Sequence, residues 1–291
     1  MKRIVFSVIA AAAALAAGVA QAGPVIIDGT DSADHGSLSA GVNTFGWEYM
    51  QRALTNLGTT VTATAARVVT VIGTDTGSQS QNAIQSAFNL AGLAGWTINY
   101  VQGAGAITTA LSALSTATTG ILYLSTAGNV GGDMDAAELT AVNAHAAQIA
   151  SFVGGSGNPA LGGALFSQGE TGAGAYAWLA TLLPGITFTD VGGSGITSDI
   201  TLTAAGAAAF PGLSNADLAG ADPWHGYFGG NLGSLSVLGV APDVAGVSRN
   251  VIIGGGAGTV ITHVPEPGSM ALVALAGLAL LASGSRRRRV K

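Results

Sequence analysis

The polar and apolar positions of this chain fall into three regimes. An apolar run over 4–19 opens it and another over 270–282 comes near its end. Between them, short β-branched runs alternate with stretches whose apolar residues recur every three or four positions. That alternation predicts strands wound with helices, because a period of two marks a strand and a period near 3.6 marks a helix. The first strand is expected over 25–28, and a helix over 44–57 follows it, with Trp47, Met50, Leu54 and Leu57 on one face. Then come a strand over 68–72, a helix over 79–93, a strand over 96–101, a helix around 107–114 and a strand over 121–124. Asp135, with Glu138 three residues on, has the spacing of a capping box and opens the longest predicted helix, which ends near 152–155. A strand over 164–166, a helix over 176–183 and a strand over 186–191 continue the pattern. After this it changes: 201–213 is helical in part, and 235–238, 251–253 and 260–262 read as further strands. The fold class is therefore α/β, a mostly parallel sheet with helices on both faces and extra strands near the C-terminal end of the body.

The two ends follow a different logic. Met1-Lys2-Arg3, the apolar run and then Ala20-Gln21-Ala22 have the charged start, apolar core and small-residue cleavage site of a secretory signal peptide over 1–22, which makes 23–263 an exported domain. At the other end the apolar core of 13 residues, extended by small flanking residues to the 18 of 268–285, rises about 27 Å as a helix, close to the thickness of a bilayer's hydrocarbon. A C-terminal transmembrane helix is expected there. Arg286, Arg287, Arg288, Arg289 and Lys291 would stay on the cytoplasmic side and leave the body outside. Just before the span, Pro265 and Pro267 fix their own φ and hold Val264 and Glu266 out of the helical region, so that Val264-Pro265-Glu266-Pro267 stays extended.

This motif, followed by an apolar run and an arginine cluster over 264–291, resembles the PEP-CTERM sorting signal of Gram-negative bacteria that make exopolysaccharide. The resemblance implies an exosortase-type membrane protease as partner alongside signal peptidase. It also implies an inner-membrane anchor before processing and a cell-surface or extracellular destination afterwards, with exopolysaccharide as a further companion. It covers the last 28 residues and is silent on the body.

Composition narrows what the body does. Three arginines, Arg52, Arg67 and Arg249, face fourteen carboxylates with no lysine, a net charge of −11 over 23–263. So acidic a surface repels nucleic acid and anionic lipid. The chain has no cysteine, which removes disulfides and thiol nucleophiles. Carboxylates with so few counterions attract divalent cations, so the cofactor expectation is a divalent metal or none.

The order of a helix ending in "SFVGG" and a strand in "GGALFSQGE" is similar to the flavodoxin-like fold of the class I glutamine amidotransferase and ThuA-like superfamily, over about 28–166. Where that fold carries its functional elbow, this chain reads Gly169-Glu170-Thr171-Gly172, with neither a cysteine nor a G-x-S-x-G serine. The resemblance therefore implies the fold and not the chemistry.

Ligands of open α/β sheets sit beyond the carboxyl ends of the strands. The first such loop, Asp28-Gly29-Thr30-Asp31-Ser32-Ala33-Asp34-His35, packs three carboxylates and an imidazole into eight positions. Asp28, Asp34 and His35 form the candidate metal set, with Asp31 a further candidate ligand. The spacing is not that of a calcium loop, and turn formation with helix capping is the competing account of the same residues. Glu170 is a candidate acid/base carboxylate or a helix-end charge. Asp222, Trp224 and His225 offer a sugar-stacking group, or else an aromatic plug for the core. Asp133 and Asp135 read as caps and His145 as a surface or packing residue. Two function classes remain. One is a sorted surface or matrix protein with a non-catalytic binding body. The other is a secreted hydrolase of polysaccharide or ester, with Asp28, Asp34, His35, Glu170 and His225 gathered on a metal or a water. The lack of an activated-nucleophile motif favours the first.

Overall fold

A computed structural model describes residues 24–255, apart from 62, 64, 129–130, 155–161, 170–173, 193–195, 197, 220–223 and 234. The signal peptide, the strand over 260–262, the transmembrane helix, the sorting motif with its arginines, Glu170 and Asp222 lie outside the described residues. Five strands run parallel at the centre: β1 (Val25–Asp28), β4 (Val68–Ile72), β5 (Thr97–Val101), β6 (Ile121–Leu124) and β7 (Ala164–Ser167), in the spatial order β5-β4-β6-β7-β1. The strands β1, β6 and β7 are buried along their whole length, as β-branched and aromatic runs covered on both faces should be.

Alternation along each strand sends side chains to two separate cores. On one face, Ile26, Val69, Tyr123 and Phe166 pack with α1 (Gly46–Thr60) and α2 (Gln79–Leu90). On the other, Val25, Ile27, Leu122 and Leu165 pack with α3 (Ala104–Ser112), α4 (Ala136–Ala144), α5 (Ala146–Gly154) and α6 (Leu179–Leu182). A flavodoxin-like sheet has the order 2-1-3-4-5. Here β4 to β7 reproduce the 2-1-3-4 part, and the first strand of the chain fills the place of the fifth.

The rest of the sheet is antiparallel: β12 (Ser248–Gly254) flanks β1, and β10 (Gly226–Gly230) and β8 (Ile186–Asp190) continue beyond. On its other edge β12 pairs β11 (Ser236–Pro242), which pairs β9 (Thr201–Leu202). The register has one consequence for function. Asp28 lies opposite Ile252 and Phe228 lies opposite Asn250, so β10 takes over the edge of β12 that β1 vacates. The junction is Gly29, whose N–H donates to the Val251 carbonyl and whose own carbonyl accepts from the N–H groups of His225 and Gly226. A Cβ on Gly29 would lie 1.9 Å from the Gly226 carbonyl oxygen. Gly29→Ala is expected to destabilise the body by about 3 kcal/mol, read as a fall in the urea midpoint, because backbone and not a pliable side chain blocks the space.

Four predicted elements shift, each for a local reason. A hairpin of β2 (Gly36–Ser39) and β3 (Val42–Phe45) occupies the place where the first helix was expected to start, turning through Ala40 and Gly41 at φ 50 and 82. The helix α1 then begins at Gly46, where a side chain would strike the carbonyls of Ser32 and His35. The long helix from Asp135 breaks at His145, whose Nδ1 meets the Ala141 carbonyl while its N–H donates to Val142 instead. Over 176–183 only Leu179–Leu182 is helical. Over 201–213 a short strand precedes α7 (Ala204–Ala209), which Thr203 caps through its hydroxyl on the Gly206 N–H.

The capping box of α4 is present, with Asp135 accepting from the N–H groups of Ala137 and Glu138. The buried Glu138 carboxylate accepts from the Asp135 N–H and also from the Gly103 N–H at the start of α3, so one side chain serves two helix ends. Glu138→Ala is expected to cost about 2 kcal/mol in a chemical-denaturation experiment, more than a surface cap alone.

Candidate metal centre

The site lies just past the carboxyl end of β1, where β10 begins. Strand parity turns the Asp28 side chain into the core below α1, and there it is fully buried. It accepts from the Thr30 N–H at 3.0 Å, the Thr30 hydroxyl at 2.7 Å and the Tyr49 hydroxyl at 2.7 Å. Burial pushes its pKa up to about 7 in spite of those hydrogen bonds. Asp28 thus ties the loop to α1.

Beyond Thr30 the chain makes one tight turn, in which the Asp34 N–H donates to the Asp31 carbonyl at 2.8 Å and the His35 N–H to the Ser32 carbonyl at 3.4 Å. A turn of this kind brings side chains four apart to one side. The His35 Nε2 lies 3.0 Å from Asp31 Oδ2. From the other strand, His225 Nε2 lies 3.1 Å from the same oxygen, and its Nδ1 lies 3.2 Å from the Gly192 carbonyl oxygen. One ligand atom from each of Asp31, His35 and His225 falls within 4.8 Å of the others, so these three residues can hold a metal.

Burial pushes the Asp31 carboxyl up, but the hydrogen bonds and charges of His225 and His35 outweigh it and hold the group below its ordinary range. Asp34 sits beside them with both oxygens buried and without hydrogen-bond partners, and burial followed by the Asp31 charge pushes its pKa up. Asp31 Oδ1 also has no partner.

Of the set Asp28, Asp34 and His35, the structure brings Asp34 and His35 to the site and turns Asp28 away. Asp31 and His225 join instead. His225 reaches the site only through the pairing of β10 with β12, a contact that spacing along the chain does not reveal. Trp224 is fully buried, with its Nε1 donating to the Ser198 hydroxyl, and so plugs the core where a sugar-stacking face was one expectation. Asp133 is a buried loop tie to the hydroxyls of Ser80 and Thr126, whereas a cap was expected.

The other end of the chain is decided by comparison with known proteins. Residues 263–289 match the model of the PEP-CTERM protein-sorting motif. The chain carries a PEP-CTERM sorting signal. The PEP-CTERM match takes in Val264 to Pro267 and Arg286 to Arg289 and makes the protein an exosortase substrate, exported and membrane-anchored before processing. The PEP-CTERM segment and the Asp31 cluster share no residue. No curated protein and no solved structure matches the chain.

Proposed function

We propose that this protein is delivered by its PEP-CTERM signal to the cell surface or the extracellular matrix of an exopolysaccharide-forming Gram-negative bacterium, and that its body over 23–263 acts there as a non-catalytic binding module. The observation that carries the reading is the ordered match over 263–289, with the Pro-Glu-Pro element, apolar run and arginine cluster in sequence. The signal-peptide pattern over 1–22 supports the same route. Two features of the body favour binding over hydrolysis. Asp28, one of the acids a hydrolase would use, is sealed against Tyr49 and Thr30. The elbow sequence carries no nucleophile.

The test is fractionation of cells with and without the exosortase. With it, the body is expected in the surface or medium fraction, shortened by its C-terminal segment. Without it, the full-length form stays with the inner membrane. Equal distribution in both strains overturns the reading.

A further inference from the structure

Three features of the Asp31 cluster suit a bound cation. The first is the hydrogen-bond logic of His225. With Nδ1–H donated to the Gly192 carbonyl, the His225 Nε2 faces Asp31 Oδ2 at 3.1 Å, a contact that either a proton on Nε2 or a cation between the two atoms satisfies. A bound cation would take the place of that proton. Donation of the distal ring N–H to a backbone carbonyl is also how metal-bound histidines are oriented.

The second feature is buried negative charge. Asp31 is 4% exposed and its Oδ1 has no partner, and neither oxygen of Asp34 has one. Among the described residues, two of the arginines are paired elsewhere: Arg52 with Glu48 at 2.8 Å and Arg249 with Asp243 at 2.6 Å. Arg67 precedes β4, at the amino ends of the parallel strands and so at the opposite rim. Asp31 and Asp34 thus have, among the described residues, only the imidazoles of His35 and His225 as positive partners, and a divalent cation held by those imidazoles would balance both carboxylates.

The third feature is geometry. Ligand atoms about 2.0 to 2.1 Å from a tetrahedral ion stand about 3.3 Å apart. Asp31 Oδ2 lies 3.0 Å from His35 Nε2 and 3.1 Å from His225 Nε2. Two imidazole nitrogens and a carboxylate oxygen suit zinc and its first-row neighbours, whereas calcium and magnesium take oxygen ligands. The His35 side chain is 27% exposed and gives the ion a way in from solvent.

We propose that Asp31, His35 and His225 bind one divalent cation of the zinc class, with the neighbouring Asp34 carboxylate balancing its second charge. The site lies in the body and is independent of sorting. The test uses the exported protein, stripped with a chelator and then titrated with Zn²⁺ against a chromophoric competitor and with Co²⁺ by visible absorption. The expected result is one equivalent of Zn²⁺ bound at sub-micromolar Kd and a Co²⁺ spectrum of low-coordinate type. Asp31→Asn and His35→Ala should each weaken binding at least about 100-fold. Because His35 is partly exposed and lies in a loop, His35→Ala should still unfold cooperatively in chelator, with at most the loss of its contact to Asp31, which separates loss of metal from loss of fold. Three results would overturn the proposal: no binding tighter than about 100 µM, a range too weak for a three-ligand site; wild-type affinity in both variants; or a preference for Ca²⁺ over Zn²⁺.

Discussion

With Pro265→Ala and Pro267→Ala combined, the full-length chain is expected to accumulate in the inner membrane of exosortase-bearing cells, with little or no released body. The cause is conformational. By the sequence expectation, each proline denies an N–H to a helix and would hold the residue before it extended, keeping Val264 and Glu266 readable. Alanine is the best helix former, so the double substitution would let helical structure enter the motif. Glu266→Gln should weaken release less, since it removes charge and leaves the extended backbone intact. Fractionation followed by mass spectrometry of the body's C-terminus gives the answer. Release at the wild-type level from the double variant would show that the prolines are not what the protease reads.

The second large effect is a pH slope in stability owed to Asp28. Its carboxyl, ordinarily near 3.8, is pushed up to about 7 by burial. Below about pH 4 folded and unfolded chains both hold the proton, and the contribution of this group is complete. Between about 4 and 7 the unfolded chain gives up the proton while the folded one keeps it, so stability falls as pH rises. Above 7 the loss is complete, with a ceiling on the order of 4 kcal/mol. Asparagine imitates the protonated acid. Asp28→Asn should therefore match the wild type near pH 4 and exceed its stability at pH 8, in urea denaturation with chelator present to silence the neighbouring cluster. A difference between the two proteins that stays constant from pH 4 to 8 would mean that Asp28 is charged throughout.

The strands β1, β4 and β6 were legible to the residue, because each is a short, mainly apolar run, almost wholly buried, set between turn-forming residues. The hairpin over 36–45 was not. Its apolar residues Leu38, Val42 and Phe45 face solvent, so no alternation marks a buried face, and Ala40-Gly41 lacks the Asn or Asp that signals such a turn. The break at His145 was hidden in alanine-rich sequence, since a side chain capturing the Ala141 carbonyl leaves no trace in periodicity. The loop over 28–35 stood out through its carboxylates, but which of them converge was settled by strand parity at Asp28 and by the turn after Thr30. Among the extra strands, those over 235–238 and 251–253 were visible. The glycine-rich β10, which delivers His225, was not, because its burial comes from neighbours far away in the chain.

The order of β1 and β12 along the edge they share also sets when this protein can finish folding. A chain exported N-terminus first presents Val25–Asp28 at once, but the partners of that strand are Ala164–Ser167 and Ser248–Gly254. Contacts of such long sequence separation form last and slowly. β4 to β7 can assemble while translocation proceeds, whereas the opening strand must wait, unpaired, for almost the whole body to emerge. The strand β12 is also the last element before the segment matched over 263–289, so the body cannot complete its central sheet until nearly everything ahead of that segment has emerged.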